Sequence, residues 1–180
     1  QVVDVLRNGG VIVYPTDSVY AVGCSLRAPR AIERLRRMKG DGELTVVCES
    51  IAQVSEYCRV DNAVFRILKR NLPGPFTFLL PASSHVPDKV LEKRRTIGIR
   101  IPANAVTRAI VGALGCPMLT TSVKDDETEY TTDPELIQER FGRTIAFVVD
   151  GGIGETVPTT VVDLTDGEPL IVREGKGELR

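Results

Sequence analysis

Thr16, Asp17, Ser18 and Tyr20 follow directly on an apolar run, Val11 to Tyr14, that stops at Pro15. Proline cannot donate to a sheet ladder, so a strand is expected to end there. Four hydrogen-bonding side chains at a strand end stand where α/β proteins commonly hold ligands. The same residue types also cap short helices, so local physics leaves both a ligand loop and a cap open. A second group is cationic. Arg30, Arg34 and Arg37 recur at i, i+4 and i+7, with Arg36 and Lys39 beside them. Such a row can hold phosphates, but opposite an Ile32, Leu35, Met38 stripe most of it is expected to be a solvated face. Arg100 lies inside an apolar stretch, Ile97-Gly98-Ile99-Arg100-Ile101-Pro102. An arginine there is not expected to be fully buried without an anion partner. Gly98 and Arg100 share one strand face, and that face is expected to be open to a ligand rather than packed. Hydroxyls collect at two more strand ends, Thr120-Thr121-Ser122 and Thr159-Thr160. Arg173 is either a ligand contact or a surface arginine paired with Glu174 or Glu168.

Some chemistries are excluded. His85 is the only histidine and sits in a polar turn, which argues against Ser-His-Asp and Cys-His sites. Gly151-Gly152-Ile153-Gly154 lacks the Lys-Ser/Thr of a phosphate loop and reads as a plain loop. Cys24, Cys48, Cys58 and Cys116 show no Cys-x-x-Cys spacing, which argues against zinc or a redox pair; partly buried, reduced thiols of a cytoplasmic protein are expected.

The elements that must position these residues alternate irregularly. Helices are expected over 2–8 (closed by Gly9-Gly10), 29–39 (opened by Pro29), 51–57, 61–71 (capped by Asp61, with Val64, Ile67 and Leu68 inward), 105–114 (stopped by Gly115) and 134–140. Strands are expected over 11–14, 44–48, 76–80, 97–101, 118–122, 145–149, 160–164 and 170–173. This order predicts a mixed, twisted α/β sheet in one domain, 1–180, rather than a regular doubly wound one. The 180 residues suffice for a sizeable core, and no run approaches a membrane span. With 23 Lys plus Arg against 24 Asp plus Glu, the net charge is -1; RNA binding would need a local patch. Gln1 is not an initiator methionine, so a longer reading frame is expected.

Six segments in register carry a resemblance: Gly9 to Gly23, Leu72-Pro73-Gly74-Pro75-Phe76-Thr77-Phe78-Leu79-Leu80, Thr96 to Pro102, Pro117 to Ser122, Thr159 to Leu164, and Val172-Arg173-Glu174-Gly175. Together, from Val5 to Gly175, they resemble the YrdC-like family of threonylcarbamoyl-AMP synthases, nearer to its YciO branch. The resemblance implies a YrdC/RibB-like open twisted sheet with a concave ligand-binding face. It implies synthesis of threonylcarbamoyl-AMP and pyrophosphate from L-threonine, bicarbonate and ATP, with Mg²⁺, and a role in tRNA modification at adenosine 37. By the same resemblance Lys39, Ser122, Lys124 and Arg173 would meet the nucleotide, and Thr16, Tyr20, Arg100 and Thr159 the threonine. Lys39 and Arg100 would stabilise charge. The chain departs from the synthases at three positions: Asp41 replaces the arginine of Lys-x-Arg, Lys124 the asparagine of Ser-x-Asn, and Thr159 a serine. Lys124 is a donor-only cation where an amide both donates and accepts. The alternative is therefore a diverged paralogue that binds a nucleotide or double-stranded RNA without efficient synthesis. A cytoplasmic location and no membrane association are expected.

Overall fold

The computed structural model describes residues 1–91 and 94–180. In chain order the elements are α1 (Val2–Arg7), β1 (Ile12–Tyr14), β2 (Ala21–Ser25), α2 (Pro29–Met38), β3 (Thr45–Val47), α3 (Ile51–Tyr57), α4 (Asn62–Asn71), β4 (Phe76–Pro81), β5 (Thr96–Arg100), α5 (Ala105–Leu114), β6 (Met118–Ser122), α6 (Glu129–Thr132), α7 (Pro134–Phe141), β7 (Phe147–Val148), β8 (Thr160–Asp163) and β9 (Leu170–Arg173). Local signals account for many helix ends. Pro29 and Pro134 open α2 and α7. Asp61 and Asn104 accept backbone N–H groups at the starts of α4 and α5. Gly115, at φ 78°, closes α5 in the left-handed conformation that glycine adopts without strain.

The nine strands form one mixed sheet in the order β7-β1-β2-β6-β3-β5-β4-β8-β9. β1 with β7, β3 with β5 and β4 with β8 run parallel, and the remaining neighbours antiparallel. The mixed α/β expectation is met, with two corrections. The turn after Pro15 caps no helix: it reverses the chain into β2, which pairs Tyr14 with Ala21. Thr16 makes the reversal by accepting from Ser18 N–H (2.9 Å) and donating to the Val19 carbonyl (2.7 Å). α6 also had no expected counterpart, and β7 is only two residues long.

Register sorts the side chains into two faces. Val13, Val22, Leu119, Val46, Ile99, Phe78 and Val162 point to one, where Ile32, Leu35, Val54, Val64, Leu68 and Ile137 of α2, α3, α4 and α7 complete the larger core. Ile12, Tyr14, Ala21, Met118 and Val47 point to the other, where Leu6 of α1 and Ile110, Val111 and Leu114 of α5 cover one part. The rest of this second face is largely polar: Thr120, Ser122, Thr45, Arg100, Thr77 and Asp163 belong to it by register and alternation, with Leu79 and Val161 among them.

The four cysteines are free and fully buried rather than partly so. Burial pushes the thiols of Cys24 and Cys58 from 9.0 up to about 12, and that of Cys48 further up. A group whose folded pKa is raised contributes stability that is intact below its unfolded value and lost as pH climbs toward the folded one. Stability is therefore expected to hold between about pH 7 and 9 and then to fall by up to about 1.4 kcal/mol per pH unit for each of these thiols. Urea midpoints measured between about pH 7 and 11 check this; a flat profile over the whole range would contradict the burial.

Candidate functional site

Arg100 ends β5, between β3 and β4 near the middle of the sheet. It is only 4% exposed, so the expectation of an open face is corrected. The neighbouring Gly98 is packed as well: a Cβ there would come within 2.9 Å of the Thr77 methyl and 3.1 Å of the Thr45 methyl. What allows an arginine at this depth is the β1–β2 loop. Ser18, itself 2% exposed, accepts a hydrogen bond from Arg100 Nη2 at 3.0 Å. Asp17 Oδ1 lies 3.6 Å from the same nitrogen. Burial lowers the pKa of the guanidinium; Tyr14 and Asp17 act against that, and the nearby charge of Arg173 adds to it. The compensation is incomplete. Arg100 Nε and Asp17 Oδ1 are both buried and without a hydrogen-bond partner, a situation that native proteins rarely leave unexplained.

The loop is itself held from three sides. Thr16 Oγ lies 3.2 Å from Ser18 Oγ. Asp17 Oδ2 accepts from Ala103 N–H at 2.7 Å. Lys176 Nζ donates to the Asp17 carbonyl and to Glu155 Oε2, each at 2.5 Å. Thr159, 5% exposed, exchanges a hydrogen bond with Thr77 at 2.7 Å and receives Arg173. Arg173 Nη2 donates to the Thr159 carbonyl at 2.8 Å and to its hydroxyl at 3.2 Å, so these bonds of Arg173 go to Thr159 and not to Glu174 or Glu168. Tyr14, on the same face, donates to Thr120 Oγ at 2.7 Å, and burial raises its hydroxyl to about 12. Thr16, Arg100, Thr159 and Arg173 thus belong to one hydroxyl-lined, cationic region. Tyr20 is 1% exposed and acts as an anchor: its hydroxyl donates to the Gly152 carbonyl at 2.7 Å and accepts from Gly151 N–H at 2.9 Å.

A second region gathers Lys39, Ser122 and Lys124. Lys39 caps α2 and its ammonium reaches the carbonyls of Gly40 (3.4 Å) and Gly42 (3.2 Å). Lys39 lines a pocket with Met38, Thr121, Ser122, Val123, Lys124 and Phe141. Gly42 makes room for Lys124: a Cβ there would come within 2.9 Å of Lys124 Nζ and 3.2 Å of Thr121 Oγ. The two regions connect through the sheet, since Ser122 pairs with Ala21, the residue after Tyr20. Of the row on α2, Arg30, Arg34 and Arg37 are exposed, and Arg34 donates to the Gly9 carbonyl. Among the described residues no group of His, Cys, Asp and Glu is placed to hold a metal ion, and no helix is long and apolar enough to cross a membrane. Sequence reasoning placed Asp17 and Ser18 in a ligand or cap loop but did not pair them with Arg100, and it assigned no role to Tyr14, Thr77 or Lys176.

Removing the Asp17 charge leaves Arg100 uncompensated. Asp17→Asn is expected to cost about 3 kcal/mol, read from denaturant unfolding. In an Arg100→Met background the same change should cost much less; equal costs in the two backgrounds would mean that Asp17 and Arg100 are not coupled.

The comparisons with known proteins agree with this architecture. The family Sua5_yciO_yrdC, described as Telomere recombination, matches residues 4–175. The uncharacterized protein YciO of Escherichia coli K12 is 45% identical over 185 residues, covering 100% of this chain and 90% of that protein. Its crystal structure superposes with a TM-score of 0.92 over 99% of this chain and 89% of that one. A threonylcarbamoyl-AMP synthase of Thiobacillus denitrificans is 33% identical, covering 92% of this chain and 90% of that protein. Sua5 of P. abyssi, crystallised with L-threonine, is 27% identical with a TM-score of 0.85, covering 97% of this chain and 53% of that one. By the family match and by these identities, the chain belongs to the Sua5/YciO/YrdC family.

Proposed function

We propose that this protein is a threonylcarbamoyl-AMP synthase-like enzyme that joins L-threonine, bicarbonate and ATP. The observation that carries the reading is the buried Arg100 with an unpartnered Nε beside Asp17. A fixed guanidinium whose Nε–H lacks an acceptor suits the carboxylate of an amino acid. Thr159 and Thr16 stand near it to meet hydroxyl and amine groups. Lys39, Lys124 and Ser122 would take the phosphates, and Arg173 would stand between the two substrates.

In the proposed reaction the threonine nitrogen bonds to the carbon of bicarbonate with loss of water. An oxygen of the resulting carbamate then attacks the α-phosphorus of ATP, and pyrophosphate leaves with the bridging oxygen. The protein's part is positioning and charge neutralisation, the usual demand of phosphoryl transfer. Mg²⁺ generally binds through phosphates with one or two carboxylates. Among the described residues no group of His, Cys, Asp and Glu is placed to hold a metal by itself, so Mg²⁺ would come in on the nucleotide and neutralise phosphate charge there. The product would feed tRNA modification.

Asp41 and Lys124 favour a second reading, a paralogue that binds a nucleotide or double-stranded RNA without efficient synthesis. Asp41 is exposed two residues after Lys39, where its charge opposes that of a triphosphate.

Pyrophosphate release by the purified protein with ATP, Mg²⁺ and bicarbonate separates the two. The synthase reading expects release that requires both threonine and bicarbonate and exceeds release with serine or valine. It also expects Asp41→Arg to raise turnover several-fold, about what removing 1 kcal/mol of repulsion yields. No threonine-dependent release from either protein, with nucleotide or RNA still bound, would overturn synthesis in favour of the binding paralogue.

A further inference from the structure

The Arg100 site is closed. Arg100, Ser18 and Thr159 are 4%, 2% and 5% exposed, yet Arg100 Nε and Asp17 Oδ1 are without a hydrogen-bond partner. An amino-acid carboxylate reaches them only if part of the wall moves. The β1–β2 loop is that wall, since Asp17 and Ser18 lie directly against the guanidinium.

The ties of this loop differ in kind. Those of Thr16 run within the loop, to Ser18 and Val19, and Asp17 Oδ2 accepts from Ala103 N–H just beyond β5. The tie to Lys176 comes from outside. The base of Lys176 is fixed: its N–H donates to the Pro158 carbonyl at 2.9 Å, and Gly175 N–H donates to Thr160 Oγ at 3.1 Å. Its ammonium spans to the Asp17 carbonyl and to Glu155 Oε2, each at 2.5 Å. The side chains of Lys176 and Glu155 are 36% and 49% exposed, so water competes for this link. Glu155 belongs to the connection between β7 and β8, in which no residue from 149 to 158 is buried. Ile153 and Val157, 72% and 48% exposed, add little packing there. A segment with so few buried contacts opens at low cost.

We infer that Lys176 is the latch of the Arg100 site: its ammonium holds the β1–β2 loop shut against the β7–β8 connection, and a small carboxylate enters when that contact releases. Lys176 is therefore a positioning residue, acting through Asp17 and not on the ligand. The inference rests on the amino-acid reading proposed above only for the identity of what enters.

Hydrogen exchange of the Arg100 Nε–H, followed by nitrogen-15 NMR in the wild type, Lys176→Met and Glu155→Gln, tests the latch without any ligand. Exchange is expected to be roughly fivefold faster in Lys176→Met, the size of a surface ion pair's contribution. A smaller rise is expected in Glu155→Gln, which keeps the bond to the Asp17 carbonyl. The Thr160 N–H, bonded to the Pro75 carbonyl at the start of β8, should exchange as in the wild type. An unchanged Arg100 rate in Lys176→Met would overturn the latch. So would an equal rise at Thr160, which would mean that the whole fold had loosened. Binding kinetics of L-threonine supply the second readout. A latch that recloses behind the ligand slows entry and exit alike, so Lys176→Met should speed association and dissociation together. Faster dissociation alone would mean a direct ligand contact and overturn the inference. If threonine binds none of the three proteins while Arg100 exchange is still accelerated, the latch stands and the amino-acid reading falls.

Discussion

A guanidinium that stays charged across the physiological pH range sits almost fully buried near the centre of a nine-stranded sheet. Burying such a charge is costly unless it is paired and hydrogen-bonded. Much of the local architecture follows from meeting that cost. The β1–β2 loop must turn tightly enough to aim Ser18 and Asp17 at Arg100, and Thr16 makes the turn. Asp17 must be held in place, and Ala103 N–H and Lys176 hold it. The C-terminal segment is fixed in turn, because Lys176 also ties Glu155 to the loop and Thr160 donates to the Gly177 carbonyl at 2.6 Å. Even so, one nitrogen of Arg100 and one oxygen of Asp17 are left unpartnered. Unmet bonding of this kind is rare in a native core, and the proposed function starts from it.

The second region is built on a different principle. Lys39 and Lys124 follow α2 and β6 and line one pocket, and the bare Cα of Gly42 leaves room for the Lys124 ammonium. A planar guanidinium fork at Arg100 and ammonium point charges at Lys39 and Lys124 suit different ligand groups, a planar carboxylate and a phosphate chain. The division matches the two-substrate chemistry proposed for this fold.

Short-range physics was readable in the chain. Asp61, Pro29, Pro134 and Gly115 announced helix ends through caps and backbone preferences that act within a few residues, and Val11 to Tyr14 announced a strand. β2 was not readable. Ala21-Val22-Gly23-Cys24-Ser25 is buried on both faces, so it lacks the alternation that marks a half-buried strand, and its small residues carry little β preference. The setting of Arg100 was only half readable. Its need for a partner followed from its apolar neighbours, but the partners lie in a loop more than eighty positions away (Ser18 is 82 residues distant), and a single sequence does not reveal that pairing. The burial of Tyr20 was hidden for the same reason, since the glycines that occupy its hydroxyl are 131 and 132 residues away.

The central claim is that the unpartnered Nε of Arg100 awaits the carboxylate of an amino acid. Nitrogen-15 NMR of the arginine Nε–H groups, with the Arg100 signal assigned by its loss in Arg100→Lys, tests this directly. On titration with L-threonine the Arg100 Nε–H resonance should move downfield in a saturable way, the signature of a new charge-assisted hydrogen bond, while the other arginines stay in place. Saturable threonine binding that leaves the Arg100 resonance where it was would contradict the claim.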